Sequence, residues 1–137
     1  MRRAILPSEV SDSRDHQYSQ AVVADGTLYV SGQVATDRHG EYVGTDVETQ
    51  TRRVFENVGH ILEEVGSEFE DIVKLTTYLV DIETNYEGFR TVYTEYFQTE
   101  PYPCHTILGV QRLASAEPLV EIEFEIPHGA LGSHEEP

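Results

Sequence analysis

Few residues in this chain pair a reactive side chain with a neighbourhood that would activate it. Glu121 lies in Leu119-Val120-Glu121-Ile122-Glu123, a carboxylate among apolar residues. Two readings stand. A half-desolvated carboxylate resists ionisation and can hold or activate a water, whereas a solvated strand glutamate does neither. His105 follows Pro103-Cys104 at the start of an extended segment. It either contacts an anion or relays a proton, or it is a structural histidine with a satisfied ring. Cys104 beside His105 is a poor nucleophile–base pair, because adjacent strand residues point to opposite faces. A buried structural cysteine is the expectation there. Ser31 ends a strand in Val30-Ser31-Gly32 and lacks the flanking glycine pattern of a nucleophile elbow. The chain has no G-x-S-x-G, no Gly-rich phosphate loop and no H-E-x-x-H. Its six histidines include no i,i+4 pair, so neither a metal nor a cofactor is expected.

The charge narrows the partners. The 137 residues carry 25 acids against 9 bases, a formal charge of −16, and Lys74 is the only lysine. Such a chain repels nucleic acid and anionic membranes, since it cannot neutralise phosphates and release their counterions. The balance has two readings: an acidic protein whose carboxylates simply form a solvated face, or one from a salt-rich cytoplasm, where abundant carboxylates keep a surface hydrated. At molar salt the screening length falls to about 3 Å, against more than 10 Å at roughly 50 mM. The expected result is a melting temperature that rises with KCl; a flat or falling curve contradicts it. No stretch of 18 apolar residues occurs, the start Met1-Arg2-Arg3-Ala4-Ile5-Leu6-Pro7 has no signal-peptide core, and the single cysteine cannot form an internal disulfide. A cytoplasmic domain over residues 1–127 with a fraying tail at 128–137 is the expectation.

Periodicity supplies the elements. Asp25-Gly26 is a hairpin signal between strands at 19–24 and 27–31, followed by an extended or loop segment at 33–37 and a turn at His39-Gly40. Val47, Thr51, Val54, Phe55, Val58, Ile61, Leu62 and Val65 form one helical face. Thr45-Asp46-Val47-Glu48 reads as its capping box and Gly66 as its stop. A strand is expected at 72–80. A second helix is expected at 86–97, with Thr84 and Glu87 capping it and Tyr86, Phe89, Val92, Tyr93, Tyr96 and Phe97 facing the core. Strands at 104–112 and 119–126 complete the order β-β-α-β-α-β-β. The class is α+β, a mixed sheet with two helices on one face. On the last strand Val120, Ile122, Phe124 and Ile126 share one face. Leu119, Glu121, Glu123 and Glu125 share the other, which meets either water or another subunit.

The chain resembles the RidA/YjgF-type family of reactive-intermediate (enamine/imine) deaminases, once described as translation-inhibiting endoribonucleases. The likeness runs from about Arg3 to Ile126. It rests on Tyr29-Val30-Ser31-Gly32-Gln33, Gln50-Thr51-Arg52 with Glu56-Asn57-Val58, Asp71–Thr77, Tyr93-Thr94-Glu95-Tyr96-Phe97, and Pro103 with Leu113 and Leu119–Glu123. The resemblance implies a chorismate-mutase-like fold, a homotrimer, and small-molecule sites in the clefts between subunits. By position it makes Glu121 the water-positioning glutamate, with Tyr18, Ser31 and Gly32 lining the cleft. Arg90 falls where the family has an asparagine, and Ile107 where it often has a cysteine. His105 stands where the family's arginine clamps the substrate carboxylate. A neutral imidazole lacks the arginine fork, and losing such a clamp costs about 2–5 kcal/mol. The resemblance thus implies a deaminating hydrolase with altered substrate preference, using Glu121 and His105, and His105→Arg raises activity unless Arg90 already anchors the substrate. Two other readings are a non-catalytic small-molecule-binding or chaperone-like trimer and an endoribonuclease, the latter opposed by the charge.

Overall fold

The computed structural model describes residues 1–127. Six strands and two α-helices follow one another among the described residues, with 3-10 turns at Arg14–His16 and Phe69–Asp71: β1 (Arg2–Ile5), β2 (Ala21–Ala24), β3 (Thr27–Gln33), α1 (Val47–Glu64), β4 (Lys74–Val80), α2 (Ile82–Tyr96), β5 (Cys104–Val110) and β6 (Val120–Pro127). The sheet has six strands in the order β1-β2-β3-β6-β4-β5. Among the described residues only β4 and β5 run parallel, joined through α2; every other neighbouring pair is antiparallel. The α+β arrangement with two helices and a mixed sheet is as expected. The tail at 128–137 lies outside the described residues.

The helix layer buries the face that periodicity selects. Val54, Phe55, Val58 and Ile61 of α1 and Phe89 and Val92 of α2 are fully buried against Leu28, Leu75, Leu79, Val120, Ile122 and Ile126. Phe55 anchors an aromatic cluster, with ring centroids 4.7 Å from Tyr96 and 5.6 Å from Phe97. Two polar residues of α1 are buried because loop backbone needs them. The Gln50 Oε1 accepts from Leu119 N at 2.7 Å while its Nε2 donates to the Glu117 and Gly44 carbonyls. The Asn57 Nδ2 donates to the Thr36 carbonyl at 2.9 Å. These bonds fix the segment leaving β3 and the segment entering β6, the two strands that carry Gly32 and Glu121. A buried carbonyl left without a donor costs about 1–3 kcal/mol, so the helix positions are not free to be apolar.

Several boundaries differ from expectation. β1 pairs with β2 from Arg2↔Ala24 to Ile5↔Ala21, yet only Ile5 of its four residues is buried, too little alternation to read. The cap of α1 is Asp46 rather than Thr45: its carboxylate accepts from Thr49 N at 2.9 Å. Gly66 does end the helix, with Ser67 N bonded back to the Leu62 carbonyl at 2.9 Å. The second helix begins at Ile82, and the Thr84–Glu87 box does not form. Asp81, at φ 50°, caps it through its backbone carbonyl, which takes the Thr84 and Asn85 N–H groups. Tyr86 is 42% exposed and leaves the core stripe. Cys104 is exposed rather than buried, because β5 is an edge strand and its outward residues have no cover. Among the described residues no helix is long and apolar enough to cross a membrane.

Candidate functional site

The expected site residues fall into two groups. The first forms around a shift in the β3/β6 register between Val30 and Gln33, where Ser31 and Gly32 leave regular pairing. Glu121 of β6 lies against Gly32: a Cβ built there would collide with the carboxylate, so only glycine leaves this seat open. Glu121 is half-buried, and that burial, reinforced by the neighbouring Glu123, pushes its carboxyl above the usual range. Tyr18 and Gly32 line one cavity of about 490 Å³. Burial and then the Glu121 charge push the Tyr18 phenol up as well. The Ser31 hydroxyl donates to the Ser19 carbonyl at 2.6 Å. Tyr18, Ser31, Gly32 and Glu121 are thus neighbours.

The second group lies on the helix side of β5. His105 alternates with exposed Cys104 and Thr106 and turns inward. Its Nε2 is 2.8 Å from the Thr77 Oγ1. Its ring stacks on Tyr93 at 4.7 Å between centroids and meets the edge of Phe89. Burial, and secondarily the Arg90 charge, lowers its pKa to about 4. The Arg90 guanidinium lies 5.2 Å from the Tyr93 ring centroid, a cation–π contact. No carboxylate among the described residues forms an ion pair with Arg90. Arg90, Tyr93, Gln98, Tyr102 and His105 line an open cavity of about 570 Å³. Ile107 faces the same way as His105 and packs partly against the core.

The two groups do not converge within one chain. Glu121 is on the sheet face away from the helices, His105 is on the helix face, and β4 separates their strands. Residue patterning missed Tyr93 and Thr77, the partners of His105; the three-residue spacing from Arg90 to Tyr93 on α2 was the available signal. It also missed Gln20 and Gln33, which are buried and bonded to each other at 2.8 Å. Among the described residues no group of three or more His, Cys, Asp or Glu side chains is placed to hold a metal ion.

The low His105 pKa has a consequence for stability. The folded chain holds the ring neutral down to about pH 4, whereas the unfolded chain protonates near 6.5. Below pH 6.5 the unfolded state therefore binds the extra proton, and stability falls until about pH 4. Urea titrations should show that the wild type loses stability over this window relative to His105→Gln. Parallel pH profiles for the two proteins would refute the assignment.

A family model described as Endoribonuclease L-PSP matches residues 11–126. A RutC family protein of Pyrococcus abyssi is 36% identical over 90% of this chain and 95% of its own. The 2-iminobutanoate/2-iminopropanoate deaminase of Capra hircus is 33% identical over 94% of this chain and 93% of its own. A crystal structure of a Rid family protein, YyfA from Yersinia pestis, superposes with a TM-score of 0.85 at 30% identity, covering 93% of this chain and 99% of that one. The chain belongs to the Endoribonuclease L-PSP family, the group of RidA/YjgF-type proteins.

Proposed function

We propose that the protein hydrolyses reactive 2-imino acids and their enamine tautomers, releasing ammonia and a 2-oxo acid. The observation that carries this reading is the half-buried Glu121 carboxylate seated on Gly32 beside Tyr18. A carboxyl with a raised pKa is a better proton carrier near neutral pH than a solvated one. Glu121 takes a proton from a water as the water oxygen bonds to the imine carbon. The resulting carbinolamine then collapses: Glu121 returns that proton to nitrogen, and as the C–N bond breaks the carbinolamine hydroxyl gives its own proton to the Glu121 carboxylate, so that ammonia leaves, the 2-oxo acid carbonyl forms and Glu121 passes the last proton to solvent. Arg90 holds the substrate carboxylate in place of the arginine that His105 replaces, and neutral His105 supplies a hydrogen bond. Ile107 and Ser31 line the cleft. The goat relative's name gives the same reaction class.

The reading takes residues 1–127 as one domain assembled into a cytoplasmic homotrimer. Its support is that the two candidate groups lie on opposite faces of the sheet, so a second copy is needed to bring them together. The face away from the helices also leaves Tyr29 and Leu108 exposed, apolar side chains that a partner copy would cover. Nucleic acid is disfavoured as a partner by the charge of −16. The test is 2-iminopropanoate generated by an amino-acid oxidase, with semicarbazide capturing the surviving imine, alongside sedimentation at molar salt. Faster imine loss than in buffer and a species of three chain masses are expected. Unchanged imine lifetime would overturn the hydrolase, and a monomer would overturn the assembly.

A further inference from the structure

The segment from Ser11 to Gln20 reaches the candidate site without a strand ladder to hold it. Its only regular structure is a short 3-10 turn at Arg14–His16, and Gln17 follows in the left-handed region at φ 64°. Tyr18 comes next. Its position therefore has to be set by side chains, and a connected set of hydrogen bonds does so. The Ser13 hydroxyl donates to the Tyr18 carbonyl at 2.7 Å. The Ser31 hydroxyl donates to the Ser19 carbonyl at 2.6 Å, and the Ser31 N–H to the Gln20 carbonyl at 2.9 Å.

Two amides close the network. The Gln33 Nε2 donates to the Gln20 Oε1 at 2.8 Å and to the Ser31 carbonyl at 3.1 Å. The Gln20 Nε2 donates to the Ser11 carbonyl at 3.1 Å. Gln33 is only 4% exposed and Gln20 7%, so both amides are almost wholly out of water. Burying amides is unfavourable unless they are paired, and apolar side chains would fill the same volume more cheaply. What apolar side chains cannot do is fix one register of an irregular loop against an irregular strand, and here they would have to do so at the residue that flanks Gly32.

We propose that Gln33 and Gln20, with Ser31, form a latch that positions Tyr18 beside the Gly32 seat of the Glu121 carboxylate. The latch deepens the hydrolase reading, on which its kinetic consequence rests, while its geometric content stands apart from it. Gln33 and Gln20 are positioning residues: they act on the reaction through Tyr18. Ser31 joins them, because its hydroxyl proton is committed to the Ser19 carbonyl.

The experiment labels the tyrosines with ¹³C at Cζ and follows the Tyr18 resonance, assigned with Tyr18→Phe, through an alkaline titration. In the wild type Tyr18 should ionise above the ordinary tyrosine value of about 10. In Gln33→Met its titration should move back towards that value. Ser31→Ala, a milder change, carries the same comparison if Gln33→Met does not fold. On imine substrate, Gln33→Met should lower kcat/KM by roughly 10- to 100-fold, mostly in kcat, as expected when a group that lines the site is displaced by about 1 Å. In the Tyr18→Phe background the same change should have little further effect. An unmoved Tyr18 titration in both variants, or losses that multiply in the double variant, overturns the latch. A wild type without imine hydrolysis but with the expected titration shifts refutes the hydrolase reading and supports the latch.

Discussion

Glu121→Gln is expected to reduce imine hydrolysis by about 10²- to 10⁴-fold, the usual share of a positioned general base. Glutamine keeps the length and shape of the side chain, so it still fits over Gly32, but it cannot take a proton from water. Folding should not suffer. The substitution removes a half-buried charge, whose burial pushes the Glu121 carboxyl up, along with its repulsion from Glu123, so the melting temperature should hold or rise. This separates catalysis from structure: a purely structural Glu121 would lose stability together with activity. Retention of wild-type turnover in a well-folded Glu121→Gln protein would remove the carboxylate from the chemistry.

The second large effect belongs to Arg90. Arg90→Asn should raise KM by roughly 10- to 150-fold, the worth of a charged hydrogen bond of about 1.5–3 kcal/mol, with a smaller change in kcat. His105→Arg alone should bring little, because Arg90 already lies over the Tyr93 ring on which His105 stacks, and a second guanidinium would meet the first. Placed in the Arg90→Asn background, His105→Arg should recover much of the lost affinity. Initial rates across substrate concentration for the four proteins decide the matter. An unaltered KM in Arg90→Asn would show that the substrate anion is held elsewhere.

What could be read in advance follows physical range. The α1 stripe and the alternation of β6 are local and periodic, so Phe55, Ile61, Ile122 and Phe124 were assignable to the core, and the glutamates of β6 to the opposite face. The α2 start was hidden because Asp81 caps through its backbone carbonyl and leaves no side-chain signature. β1 was hidden by its brevity. The exposure of Cys104 depends on strand order: β6 enters between β3 and β4, which leaves β5 at the edge, and no local pattern encodes that insertion. The same insertion separates Glu121 from His105. The resemblance named both residues as site members, but only the fold puts them on opposite faces. Tyr93 looked like core and is nearly buried; its ring nonetheless stacks on His105 and lies under Arg90. Gln20 and Gln33 are ordinary polar residues in the chain, and their meaning appears only where a register shift and a loop without a ladder meet.

The proposed site of imine hydrolysis is shared between subunits, with Glu121 from one copy and Arg90 from the next. Mixing equal amounts of Glu121→Gln and a severely impaired Arg90 variant such as Arg90→Glu, dissociating the mixture and reassembling it, tests this sharing. Each protein alone should hydrolyse 2-iminopropanoate poorly. After random reassembly about one quarter of the clefts should combine an intact Glu121 with an intact Arg90, and activity should return to about that fraction of the wild type. No recovery from reassembled trimers, with an active wild type measured alongside, would contradict the shared site.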